Sequence, residues 1–229
     1  DEIGFPLRFG DSEGALRLVE LIASRTGIGE LLAQGVRSAS ATLGPAAQSI
    51  AVHVKGLEIP AWDPRGRRGM GLSYATADIG ASHLRGWPAT TDPPDTPAVS
   101  TVESMVRNRD EKALRDSLIV CHFTFRLPLV TSQMVRLLNA ATGAHYSEDD
   151  ALMTSWRTET LVRMFNIREG ISRSDDVLPP RLWEKQTNGP RIGMSSFLDL
   201  ADFESSLDRF YELRGWDHNG VPTVETLKH

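Results

Sequence analysis

SIAVHVKGLEIPAWDPRGRRGMGLSYATADIGASHLRG, residues 49–86, is the stretch on which the reading of this chain turns. Its glycines, with Pro60 and Pro64, break any long helical or strand periodicity. It therefore reads as irregular, loop-rich backbone brought close to something else. The close glycine pairs in GRRGMG and GMGLSYATADIG invite a nucleotide-binding reading, but the requirements are not met. A dinucleotide fingerprint needs GxGxxG between a strand and a helix with an acid about 20 residues on, and a phosphate loop needs GK[ST].

On either side the pattern becomes helical. Upstream, SEGALRLVELIASRTG sets Leu18, Leu21, Ile22 and Arg25 at helical spacing, with Asp11 or Ser12 as N-cap and Gly27 as the stop. GELLAQGVRSASATLG puts Leu31, Leu32, Val36 and Ala39 on one face up to Gly44-Pro45, so the two segments predict a helical hairpin. Downstream, Pro88, Pro93, Pro94 and Pro97 favour an extended connector. Helices are expected over about Thr101 to Phe123, Thr131 to Thr142, Ser147 to Glu169 and Ser196 to Gly215. Ser147 followed by Glu148, Asp149 and Asp150 suits the positive end of a helix dipole. REGISRSDD, with alternating charges, reads as a solvated loop without a catalytic role. The expected class is mainly α with an irregular Gly/Pro-rich central loop region, divided into residues 1–90 and 91–229.

Composition narrows the functional classes. Hydrophobic residues make up 40% and charged residues 24%, as in an ordinary globular chain. With 30 acidic against 25 basic side chains and a formal charge of -5, nucleic acid is a poor choice of partner. No apolar run reaches the roughly 20 residues of a membrane helix, and DEIGFPLRFG lacks a basic-then-apolar signal layout, so a cytoplasmic chain is expected. The single cysteine, Cys121, excludes an internal disulfide and any multi-thiolate site built by these residues alone.

Taken as a whole string, VKGLEIPAWDPRGRRGMGLSYATADIGASHLRG resembles the signature of the aldehyde ferredoxin oxidoreductase family, through Lys55, Gly56, Glu58, Pro60, Asp63 to Gly66, Gly69 to Gly71, Tyr74 to Thr76, Gly80, His83 and Arg85. LRFGDSEGALRLVELIA, DSLIVCHF (residues 116–123), FNIREGISRSDDVLP and YELRGWDHNGVPTVETL agree in the same order. The resemblance covers nearly the whole chain and corresponds to the C-terminal half of the family, with residues 1–90 ending its middle helical domain and 91–229 forming its C-terminal helical domain.

What the resemblance implies is a parent enzyme that oxidises an aldehyde to a carboxylate. Tungsten (or molybdenum) would be held by two pterins, with a [4Fe-4S] cluster passing electrons to ferredoxin. DSLIVC is similar to the family's DxxGLC segment. Asp116 would then accept hydrogen bonds from a pterin, and Cys121 would be the fourth cluster ligand beside three from an upstream CxxCxxxC run. Read by itself, without the resemblance, Cys121 is a small apolar residue buried on a helix. His83, in GASHLRG, stands where the family places a proton-transfer histidine near the metal. Trp62 occupies the place of a tyrosine lining the substrate site; indole keeps an aromatic wall and an N–H donor but loses the phenol. Arg65, Arg85 and Lys55 either bind an anionic group or form salt bridges, with Asp63 or Glu58 as partners for the arginines.

Several positions depart from the pattern. Ile119 replaces a glycine, Val120 a leucine, Asp78-Ile79 an arginine-containing pair, and Ser82 a Cys or Asp. The family's N-terminal pterin domain, its CxxCxxxC run and a glutamate paired with the histidine are absent from these residues. The chain alone is therefore expected to bind no cofactor and to need the N-terminal half as partner. A fragment of a related aromatic acyl-CoA reductase, or a cofactor-free helical interaction module, are the alternatives.

Overall fold

A computed structural model describes residues 3–86, 98–126 and 130–228. It is 58% helix and 3% strand. The proline-rich connector and the division at residue 90 lie outside the described residues. Among the described residues no helix is long and apolar enough to cross a membrane.

The first part is a run of short helices. α1 (Ser12–Ser24) is capped by Asp11, whose carboxylate accepts from the Gly14 N–H at 2.9 Å. It ends on Arg25 at φ 52, ahead of the expected Gly27. The expected second helix is three: α2 (Ile28–Leu32), α3 (Gly35–Leu43) and α4 (Pro45–Ile50). Gly35 at φ +83 and Gly44 at φ +95 turn the chain between them, and Pro45 suits the first position of α4, where no N–H is needed. A two-residue hairpin follows, β1 (His53–Val54) against β2 (Leu57–Glu58).

Residues 49–86 are less irregular than expected. Arg68–Thr76 form α5, of which every residue from Gly69 to Thr76 is buried. A helix hidden on all sides carries no apolar-polar alternation, so periodicity could not find it. Met70, Leu72 and Tyr74 pack with Val102 and Met105 of α6 (Ala98–Ser117), with Leu178 and Leu182, and with Phe203, Leu207 and Phe210 of α9 (Leu200–Arg214). Edge-to-face rings tie this core together, Phe197 on Phe203 at 5.0 Å and Phe210 on Trp216 at 5.7 Å. The core draws on residues from both sides of the expected division.

A smaller cluster joins Leu114 of α6 to Met134 and Val135 of α7 (Thr131–Thr142) and Ala151 of α8 (Glu148–Arg168). α8 begins with the expected cap. The Ser147 hydroxyl accepts from the Asp150 N–H, and the Asp150 carboxylate accepts from the Ser147 N–H. Asp199 caps α9 by accepting from the Asp202 N–H, and Gly215 closes it in the left-handed region.

α6 stops at Ser117, short of the expected Phe123, in a Schellman turn: the Val120 N–H bonds the Arg115 carbonyl and the Ile119 N–H that of Asp116. Ile119 therefore sits at φ 57, where glycine is at ease and a β-branched residue is strained. Its side chain is 94% exposed and gains nothing from packing. Ile119→Gly is expected to leave stability unchanged or raise it by about 1 kcal/mol. In the buried helix α5, the same substitution at Leu72 should cost several kcal/mol. Urea unfolding of the two variants checks this.

Candidate active-site wall

The segment after α5 carries His83 and is fixed from several sides. Ala77 leaves the helix in extended conformation. The Asp78 carbonyl accepts from Asn166 Nδ2 at 2.8 Å, and the Arg85 carbonyl from the Ser73 hydroxyl at 2.7 Å. Arg85 Nε donates to Asp78 Oδ1 at 2.6 Å across the loop. Two glycines allow the chain to approach its supports. A Cβ on Gly80 would lie 2.4 Å from the Val54 carbonyl oxygen, and one on Gly86 2.7 Å from Arg109 Cγ. His83 is half-buried and Ile79 exposed.

Beside this loop α6 and α8 open a cleft of about 260 Å³ lined by Asp78, Arg85, Arg109, Lys112, Asp116 and Glu159, among others. Its charges occur in pairs. Lys112 bonds Asp116 one helical turn on, Arg109 bonds Glu159, and Arg85 NH1 lies 3.9 Å from Asp116 Oδ2. Asp116 keeps 43% of its side chain exposed. The strained turn at Ile119 carries the chain from Asp116 to Cys121, whose side chain is exposed. His122, next in line, has its pKa pushed below the usual histidine range, first by burial and then by the positive charges of Lys112 and Arg115, with Asp116 opposing. Arg85 and Asp116 thus join the His83 loop to the end of α6.

The other sequence candidates stand elsewhere. Trp62 is partly exposed, and its carbonyl accepts from the buried Tyr74 hydroxyl at 3.1 Å. Burial, with the charge of Asp63, pushes that phenol well above the tyrosine range. Arg65 forms a fork on Asp63, Nε to Oδ1 at 3.0 Å and NH2 to Oδ2 at 2.7 Å. Burial alone would raise the Asp63 pKa, but this fork and the Arg65 N–H hold it below the carboxylate range. Glu58 is no partner of the arginines; it accepts from the Val36 N–H at 2.8 Å. Lys55 points inward with its side chain 4% exposed, 2.7 Å from Asp176 Oδ1 and donating to the Ala75 carbonyl at 2.5 Å.

Asp176 is the residue that pattern reading missed. It closes REGISRSDD, which reads as a solvated loop, yet it is 1% exposed. It holds Lys55, Arg163 at 2.9 Å and the Tyr211 hydroxyl at 2.5 Å. No local signal marks it for burial. Lys112, Arg109 and Glu159 were also unmarked, since each looks like an ordinary charge on an amphipathic helix.

Residues 1–229 match the family described as aldehyde ferredoxin oxidoreductase, domains 2 and 3. This chain belongs to that family. It is 35% identical over 234 residues to a tungsten-containing aldehyde ferredoxin oxidoreductase of Pyrococcus furiosus, covering 97% of this chain and 37% of that protein. The corresponding enzyme of Thermococcus kodakarensis is 34% identical over 96% of this chain and 37% of its own length. The WOR-like subunit of an aliphatic sulfonate oxidoreductase of P. furiosus is 26% identical, over 100% of this chain and 36% of that protein. The chain thus spans little more than a third of these relatives. A solved structure, the active site complex BamBC of benzoyl coenzyme A reductase with 1,5 dienoyl-CoA, shares the fold at a TM-score of 0.75 and 20% identity, covering 98% of this chain and 39% of that one.

Proposed function

We propose that this aldehyde ferredoxin oxidoreductase chain forms one wall of the active site of a cytoplasmic tungsten-pterin enzyme that oxidises a small aldehyde to its carboxylate and delivers electrons to ferredoxin. The observation that carries this is the meeting of Asp116 with Arg85 of the His83 loop, 3.9 Å apart in the cleft beside α6, with exposed Cys121 on the turn that follows Asp116.

The residues fit such cofactors as one side of a site. Cys121 is exposed and the Asp116 carboxylate is partly open, so both are within reach of groups arriving from outside. Among the described residues no group of three or more His, Cys, Asp or Glu is placed to hold a metal ion. The remaining ligands of a four-thiolate cluster, and the second wall around two pterins, would come from the N-terminal half. The bound metal would supply the two-electron redox chemistry, and the cluster its one-electron outlet. This chain would accept pterin N–H groups at Asp116, neutralise cofactor charge through Arg85 and, from its own turn, Arg65. It would donate one thiolate from Cys121 and exchange the reaction's proton at the His83 imidazole. The Trp62 ring would give an aromatic side to the substrate site.

The test is anaerobic expression of the whole protein with tungstate, followed by metal, iron and pterin analysis and aldehyde oxidation assayed with ferredoxin. Tungsten, pterin and about four irons per chain are expected, and Cys121→Ser should remove most of the iron. Protein that purifies with none of the three overturns the assignment. Reduction of an aromatic acyl-CoA ester in place of aldehyde oxidation would replace the substrate class.

A further inference from the structure

The last carbonyls of an α-helix have no partner within it, and where they are buried water cannot serve. At the end of α5 two buried cations take this role. Lys55 Nζ donates to the Ala75 carbonyl at 2.5 Å; Arg109 NH1 donates to the Thr76 carbonyl at 3.3 Å and the Thr76 hydroxyl at 3.0 Å. Positive charge also complements the negative end of the helix dipole. Each cation is itself held on a different segment, Lys55 by Asp176 and Arg109 by Glu159 with the Phe210 ring 5.3 Å from its guanidinium carbon.

These contacts bracket one stretch of chain. Arg109 binds the residue before segment 77–86, and Gly86, at the segment's other end, packs on the Arg109 side chain and backbone. Lys55 lies in the hairpin turn whose Val54 carbonyl and Leu57 side chain support Gly80 in the middle of the segment. We propose that Lys55 and Arg109 are positioning residues that brace the His83 loop from beneath, by gripping the end of α5 and the loop's own supports. Lys55 then acts from the interior and not as a cofactor contact.

The catalytic significance of this brace rests on the role proposed for His83, whereas the bracing does not, so the test separates the two. In the whole protein, hydrogen exchange read by mass spectrometry should show the amides of residues 78–86 opening at least about tenfold faster in Arg109→Met, equivalent to about 1.4 kcal/mol, with α9 unchanged. Arg109→Lys, which keeps the charge but cannot span Thr76 and Glu159 as a fork does, should fall between. Lys55→Met should loosen the loop around Gly80 and Lys55→Arg partly restore it. Turnover should fall with KM for the aldehyde nearly constant, and the pH profile of kcat should shift as the imidazole's surroundings change. Exchange in 78–86 unchanged, or raised equally throughout α9, overturns the brace. Should Arg109→Met not fold, the Lys variants decide by the same comparison. Absence of aldehyde oxidation in the unaltered protein counts against the proposed function and leaves the exchange pattern to judge the brace.

Discussion

Asp176→Asn is expected to cost the fold about 3–5 kcal/mol, because it leaves Lys55 and Arg163 as buried cations without their anion. Burial already drives the Lys55 pKa down against the pull of Asp176, with Arg163 and Arg109 adding to the fall. Without the carboxylate only the Ala75 carbonyl and the negative end of α5 oppose that expulsion of charge. Asparagine preserves the shape and can still accept from Tyr211, so the loss isolates the charge. Tyr211→Phe, which removes only the hydroxyl donor, should cost about 1–2 kcal/mol. Combining Asp176→Asn with Lys55→Met should cost less than the sum of the two single changes, since one orphaned charge is removed. Urea unfolding followed by circular dichroism gives all four numbers. A loss under about 1 kcal/mol in Asp176→Asn would show that the network is wetter or looser than its geometry.

Gly80→Ala should be nearly as damaging, at about 3 kcal/mol. Two penalties act together there. The backbone is at φ +98, disfavoured for any side chain, and the new methyl would meet the Val54 carbonyl oxygen at 2.4 Å and Leu57 Cβ at 2.8 Å. The hairpin or the His83 loop must move, so cofactor retention in the whole protein should fall along with stability. Gly170→Ala is the matched control. Its φ is +93 but nothing lies within 4 Å of the added carbon, which leaves the backbone penalty of about 1 kcal/mol. Equal losses at the two positions, measured by thermal unfolding, would mean that the close approach of Gly80 to the hairpin has no energetic consequence.

The sequence by itself determined the helical class, because α1, α6, α7, α8 and α9 each carry a local signal. For α8 it is the Ser147–Asp150 cap, and for α1 the Asp11 cap with half-buried Leu18, Leu21 and Ile22 on one face. It also determined the family, through strings whose glycines meet backbone demands at Gly66, Gly80 and Gly86. What only the tertiary structure decided is whatever depends on partners distant in sequence. α5 is buried on all sides, so its residues show no periodicity, and much of its cover comes from α6, α9 and residues 178–197, distant in sequence. Ile119 reads only as a glycine replaced in the DSLIVC string, and its place in the turn makes it strained and solvent-exposed. Lys55 and Arg65 offered the same two readings, ligand or ion pair. The fold buried one against Asp176 and left the other partly covered on Asp63, because desolvation and pairing are set by what packs above a residue. Asp175 and Asp176 are adjacent and chemically identical; one is half-exposed with Ser172 as its partner, and the other is buried among Lys55, Arg163 of α8 and Tyr211 of α9, a difference created by distant segments packing over the second.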